Sequence, residues 1–198
     1  MVKLYYCRIP EKLDEEIIPF FSEYRKVKLA TITSPKAKRQ GICAELLLEK
    51  AVEEYYQRPL PIAVDSNGKP YFEDSKLHFN ISHSGDWVAC AIADMEVGLD
   101  IQVISEYNPK LCKRFFVDKE IEYILASENK DSAFTEIWCK KEARLKSNGM
   151  GLKGGLNSFS VFENESEYSS GCVSGFHYSV CGPSLDKINL ILEEIKLL

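Results

Sequence analysis

The sequence predicts an α+β fold, and three observations predict it. Three short runs rich in β-forming residues follow one another in mid-chain, at 77–82, 87–93 and 96–104. Before them, 36–56 carries Ile42, Leu46, Leu47, Ala51, Val52 and Tyr55 at helical spacing. After them, 109–127 and 132–147 have helix-compatible periodicity. Helices, strands and helices are thus grouped, and later strand candidates close the chain. Two halves of similar size, 1–98 and 99–198, meet near Gly98.

The remaining elements follow in order. Residues 2–9 read as a strand, and 11–24 as a helix interrupted by Pro19. Pro35 suits the start of the long helix. A short extended piece at 58–65 leads to the turn Ser66-Asn67-Gly68-Lys69-Pro70. Gly85-Asp86 is the expected hairpin turn between the first two central strands. Gly149, Gly151, Gly154 and Gly155 form a loop, and 159–162, 172–180 and 188–195 are strand candidates, the last ambiguous.

Composition narrows the function. Of 198 residues, 25 are Lys or Arg and 30 Asp or Glu, a net charge of −5 that disfavours a general nucleic-acid binder. No apolar run approaches the ~20 residues of a membrane helix, and the first residues lack a signal peptide's apolar core. The seven cysteines include no close pair of the kind zinc sites use, as expected for reduced, mostly buried thiols in the cytoplasm. One local reversal stands out. Arg25, Lys26, Lys28, Lys36, Lys38 and Arg39 fall within fifteen positions without an intervening acid. The stretch is either a solvated face or an anion site in which several cations converge on phosphate.

Three segments carry candidate chemistry. In Val97-Gly98-Leu99-Asp100-Ile101-Gln102-Val103-Ile104, strand alternation puts Asp100 and Gln102 on one face and Leu99, Ile101 and Val103 on the other. A carboxylate among β-branched residues needs a cation, whether metal, Arg or Lys. In the segment from Trp138 to Lys146, Trp138, Glu142 and Lys146 form one helical row. A Glu four residues before a Lys is commonly a surface pair, but Trp138 pulls this row inward. In Ser82-His83-Ser84-Gly85, a histidine sits between two serines, held by turn hydrogen bonds or set to hold phosphate oxygens.

Taken in order, Gly68-Lys69-Pro70, Asn80-Ile81-Ser82-His83-Ser84-Gly85-Asp86-Trp87, Gly98-Leu99-Asp100-Ile101-Gln102, Trp138 through Lys146, and Gly149-Met150-Gly151-Leu152 resemble the motifs of the Sfp-type 4′-phosphopantetheinyl transferases. The resemblance is strong from 68 to 152 and looser before it. It implies two pseudo-symmetric α/β halves with the active site at their interface. It also implies a monomeric, cytoplasmic enzyme of the holo-acyl-carrier-protein synthase type. Such an enzyme moves the phosphopantetheine arm of coenzyme A to a serine of an apo acyl- or peptidyl-carrier protein and releases 3′,5′-ADP, with Mg²⁺ as cofactor. Asp100 and Glu142 match the family's metal-binding acids. Lys146 matches a lysine at the phosphates near the reacting centre, and Lys69, Ser82 and His83 match coenzyme A-binding positions. Lys28 and Arg39 fit its nucleotide phosphates more loosely. One position departs: the family usually has a second acid two residues after the strand Asp, and here Gln102 offers a ligand oxygen without charge. The other reading is a non-catalytic module that binds coenzyme A or carrier proteins, with Gln102 marking a decayed site.

Overall fold

The computed structural model describes residues 2–56, 60–149, 155–185 and 190–197. It is an α+β protein of four layers, and strand parity shows why. In β1 (Val2–Arg8) and β5 (Trp87–Ala93), alternate residues serve two different cores. Tyr5, Cys7, Val88, Cys90 and Ile92 meet Cys43, Leu47, Leu48, Ala51 and Val52 of helix α2 (Pro35–Glu53). Leu4, Tyr6, Ala89, Ala91 and Ala93 turn the other way, onto Leu99, Ile101, Phe176 and Val180. Both faces of this sheet are therefore dry, which explains the near-continuous apolar run of β5. Three alanines on the inner face let the second sheet approach closely.

The first sheet has the order β4-β5-β1-β9, with β4 at His78–Ser84 and β9 at Leu190–Glu194. All its pairings are antiparallel except β1–β9. The second sheet has the order β6-β8-β7, comprising β6 (Gly98–Val103), β7 (Tyr168–Val173) and β8 (Phe176–Cys181). A small hairpin, β2 (Ile62–Val64) and β3 (Pro70–Phe72), lies apart from both. Helix α5 (Lys130–Ser147) covers the outer face of the second sheet and packs with α3 (Pro109–Phe115) and α4 (Asp118–Ala126) around Phe116, Phe134, Ile137 and Trp138.

The two sheets are joined along one edge by side chains. Asn80, Ser82 and Ser84 of β4 point to one face of their strand. Their oxygens accept hydrogen bonds from the main-chain N–H groups of Leu99 (3.0 Å), Ile101 (3.2 Å) and Val103 (3.0 Å) in β6. The free edge of the second sheet is thus capped without a further strand, and three N–H donors that would be costly to bury unpaired are satisfied.

Several elements depart from the sequence expectations for physical reasons. Residues 11–24 do not form one helix. A 3-10 turn spans Glu15–Phe20, and α1 (Glu23–Ala30) starts afresh where the Ser22 hydroxyl accepts from the Arg25 N–H. Residues 109–127 split into α3 and α4, because Phe116 and Val117 are extended and Glu120 caps the Val117 N–H. The run 172–180 hides a hairpin turn at Ser174-Gly175, both with positive φ. No strand forms at 159–162, since polar groups buried beneath it claim its main chain. Lys141 donates to the carbonyls of Leu156 (2.6 Å) and Phe159 (2.7 Å) and pairs with Glu120 (2.9 Å), which accepts from the Val161 N–H. Both charged side chains are fully buried, and removing either partner of such a pair costs ~3–5 kcal/mol. The expectations at Arg58, Gly151, Leu152 and Gly154 lie outside the described residues, as does the start of the last strand candidate.

Gly98 is where α5 meets β6. A Cβ there would sit 2.0 Å from the Ala143 carbonyl oxygen and 2.2 Å from the Ser147 nitrogen. Both are helix main chain and cannot rotate away, so only glycine permits this approach. Gly98→Ala is expected to destabilise the fold by at least ~1–3 kcal/mol, read as a lower urea midpoint, because α5 must lift from the sheet.

Candidate active site

The site forms where α5 crosses the second sheet beside the β4 edge. Strand alternation sends Leu99 and Ile101 into the inter-sheet core and leaves Asp100 on the face that α5 covers. The Cys139 thiol of α5 donates to the Asp100 carbonyl at 3.1 Å and reaches the His177 carbonyl at 3.6 Å, fixing helix to strand at this level. One turn further along α5 stands Glu142, and one more turn brings Lys146.

Asp100 is buried and Lys146 supplies its cation. The Lys146 Nζ donates to Asp100 Oδ1 at 2.6 Å and to Ser82 Oγ at 3.0 Å, while the Ser82 hydroxyl donates to the same Oδ1 at 2.8 Å. Ser82 Oγ also takes the Ile101 N–H, so one hydroxyl serves both the sheet junction and the charge cluster. Lys146 does not pair with Glu142 one turn away but turns to the strand acid.

Glu142 makes no hydrogen bond or ion pair among the described residues. Desolvation raises its pKa above the ordinary carboxylate value, Asp100 adds to the rise, and Lys146 opposes it. The two carboxylates are close enough to repel each other, as expected for a pair that shares a cation. Gln102 lies two residues beyond Asp100 on the same sheet face, half-buried, opposite His177 of β8. Two carboxylates and an amide form an oxygen donor set that suits a hard divalent cation with its remaining positions open to phosphate and water. No group of three His, Cys, Asp or Glu side chains is placed to hold a metal among the described residues.

His83 is exposed next to this cluster. Partial desolvation lowers its pKa most, the charges of Lys146 and Lys28 add to the fall, and Asp100 pulls it back. Lys28 is exposed on α1 and donates to the Tyr24 hydroxyl at 2.8 Å. Asp100, Ser82, Glu142, Lys146, His83 and Lys28 are thus brought into one electrostatic neighbourhood. Lys69 and Arg39 stand apart from it. Lys69 donates to Glu96 (2.7 Å) and to the Ser147 carbonyl (2.9 Å), beside a polar cavity of about 480 Å³ lined from both halves of the chain. Arg39 lines a groove with Arg8, Lys36 and Asp86 around the Gly85-Asp86 turn. The basic stretch is therefore divided. Arg25 is buried against Glu45 at 3.1 Å, Lys26 pairs with Glu23, and Lys38 with Glu15 at 2.5 Å.

Sequence reasoning missed Asn80, Ser84 and Lys141 as residues that build the site. The period-two spacing of Asn80, Ser82 and Ser84 was the available signal for the first two. Lys141 carried none, because nothing in its helix marks one lysine as buried.

A carboxylate pair and a lysine thus stand together where two sheets and a helix meet. The sequence profile of the 4′-phosphopantetheinyl transferase superfamily matches residues 96–181, which span β6 through β8. The 4′-phosphopantetheinyl transferase Gsp of Aneurinibacillus migulanus is 30% identical over 176 residues, covering 84% of this chain and 74% of Gsp. Psf-1 of Bacillus pumilus is 32% identical over 74% of this chain and 66% of its own length. Sfp of Bacillus subtilis is 29% identical over 77% and 71%. The chain belongs to the Sfp-type family of 4′-phosphopantetheinyl transferases.

The raised Glu142 pKa has a signed consequence. The folded chain binds this proton more tightly than the unfolded chain, so the group's cost to stability develops as pH rises above the ordinary carboxylate value. Glu142→Gln is therefore expected to melt at a higher temperature than wild type at pH 7. The difference should disappear below about pH 4, the range in which carboxyl groups are ordinarily protonated.

Proposed function

We propose that this protein transfers 4′-phosphopantetheine from coenzyme A to a serine hydroxyl of an apo acyl- or peptidyl-carrier protein. The convergence of Asp100, Glu142 and Lys146 at the meeting of β6 and α5 carries this reading, together with family membership. The serine Oγ forms a bond to the β-phosphorus, the bond from that phosphorus to the bridging oxygen breaks, and 3′,5′-ADP leaves. Asp100 and Glu142, with Gln102 through its amide oxygen or a water, would hold Mg²⁺, which would supply positive charge to offset that of the pyrophosphate. Glu142, without a hydrogen-bond or ion-pair partner among the described residues and with a raised pKa, takes the serine proton directly or through a water. Lys146 offers its ammonium to the phosphates at the reacting centre. Ser82 and His83 contribute coenzyme A contacts, and Lys28, Arg39 and Lys69 supply outlying positive charge for its other phosphates. In this reading 1–98 carries most coenzyme A contacts and 99–198 the acid-bearing helix.

We further propose that the enzyme works as a cytoplasmic monomer. No helix among the described residues is long and apolar enough to cross a membrane, and the described cysteines are all free thiols. The alternative of a non-catalytic binding module is favoured by Gln102 alone.

Mass spectrometry of an apo carrier incubated with coenzyme A, Mg²⁺ and this protein should show a gain of one phosphopantetheine arm. Asp100→Ala and Glu142→Ala should each lower the rate roughly a hundredfold or more without unfolding the chain. Absence of any mass gain with several carriers would overturn the transferase reading in favour of the binding module. Gln102→Glu should lower the Mg²⁺ concentration that gives half-maximal transfer, because it restores a negative charge; an unchanged metal dependence would show that Gln102 does not face the ion.

A further inference from the structure

Lys146 already holds the carboxylate that a metal at Asp100 would use. Its Nζ is 2.6 Å from Asp100 Oδ1, the closest approach any group makes to that carboxylate among the described residues. A second donor, the Ser82 hydroxyl, converges on the same oxygen at 2.8 Å and accepts from Nζ at 3.0 Å. A divalent ion on Oδ1 would stand at about 2.1 Å, so it and an ammonium held on the same oxygen would lie within about 4 Å and repel each other. The local charge argues the same way. Asp100 and Glu142 contribute two negative charges, Lys146 cancels one, and Gln102 adds none. The Lys146 side chain is nevertheless 30% exposed on the last turn of α5, so it has room to swing outward.

We propose that the Lys146 ammonium is the resident counter-ion of Asp100 in the free protein and competes with a divalent cation for it. The ion gains Asp100 as an added anion draws Lys146 away, and the pyrophosphate of coenzyme A is the anion that the proposed function brings. This inference rests on that reading for the identity of the anion, but the competition itself is a property of the free chain. By linkage, an anion that releases Lys146 tightens the metal, and the metal tightens the anion by the same factor.

The test is Mn²⁺ binding to the full chain without coenzyme A, followed by the paramagnetic signal of the free ion. Lys146→Met is expected to bind Mn²⁺ at least about tenfold more tightly than wild type, since a unit positive charge leaves the site. Lys146→Arg, which keeps the charge, should stay close to wild type. Adding Asp100→Asn to Lys146→Met should abolish the gain. Equal or weaker binding by Lys146→Met overturns the proposal, and so does a gain that survives loss of the Asp100 charge. If the methionine variant does not fold, Lys146→Gln, which keeps a hydrogen-bond donor for Ser82, carries the same expectation. None of these measurements uses transfer activity, so a failure to form holo carrier protein would count against the proposed function and leave the competition standing.

Discussion

The structure depends on three side-chain oxygens of one strand bonding to the main chain of another. Asn80, Ser82 and Ser84 take the N–H groups of Leu99, Ile101 and Val103, and by doing so set how the two sheets cross. Each bond contributes only ~1 kcal/mol net, but leaving the donors buried and unpaired would cost ~1–3 kcal/mol apiece. The contacts also fix a register. A slip of one residue would turn Asp100 into the apolar layer shared with β1 and β5, where a carboxylate has no partner. The position of the strand acid is thus decided by hydrogen bonds to the main chain of its neighbours.

The same junction couples architecture to charge. The Ser82 hydroxyl accepts from Ile101 and Lys146 and donates to Asp100, so its capacity is filled. On the far side of the strand, Gly98 admits α5 to backbone contact, and the Cys139 thiol ties the helix to the Asp100 carbonyl. Behind α5, the buried Glu120–Lys141 pair holds the segment that follows the helix. Glu142 sits next to Lys141 in sequence and faces the opposite environment. One residue is locked in the core by three bonds, and the next has no partner among the described residues. A carboxylate in that state costs stability, as expected of a group retained for chemistry rather than for the fold.

Much of this was legible in the sequence. Runs rich in β-forming residues point to the central strands, helical spacing points to α2 and α5, and the acid on the strand and the acid on the helix both stand out. What escaped was decided by distant partners. The pairing of Lys146 with Asp100, rather than with Glu142 one turn away, depends on a residue 46 positions distant. The irregular path at 159–162 follows from Glu120 and Lys141, neither of which is near it in sequence. The split between Lys69, Arg39 and the central cluster reflects where three separate elements end. The hairpin at Ser174-Gly175 is different, because a Ser-Gly pair within a β-rich run is a turn signal that could have been given more weight.

The parallel pairing of β9 with β1 bears on how the chain is made. Val2–Arg8 is made well before the strand that borders it, Leu190–Glu194. The first sheet therefore waits with an open edge while the residues between these strands are made, and long-range closures of this kind are slow. During that interval the exposed edge of β1 is the place where a nascent chain is most open to wrong pairing. The hazard that this topology creates belongs to the making of the chain rather than to the finished fold, in which β9 covers the edge.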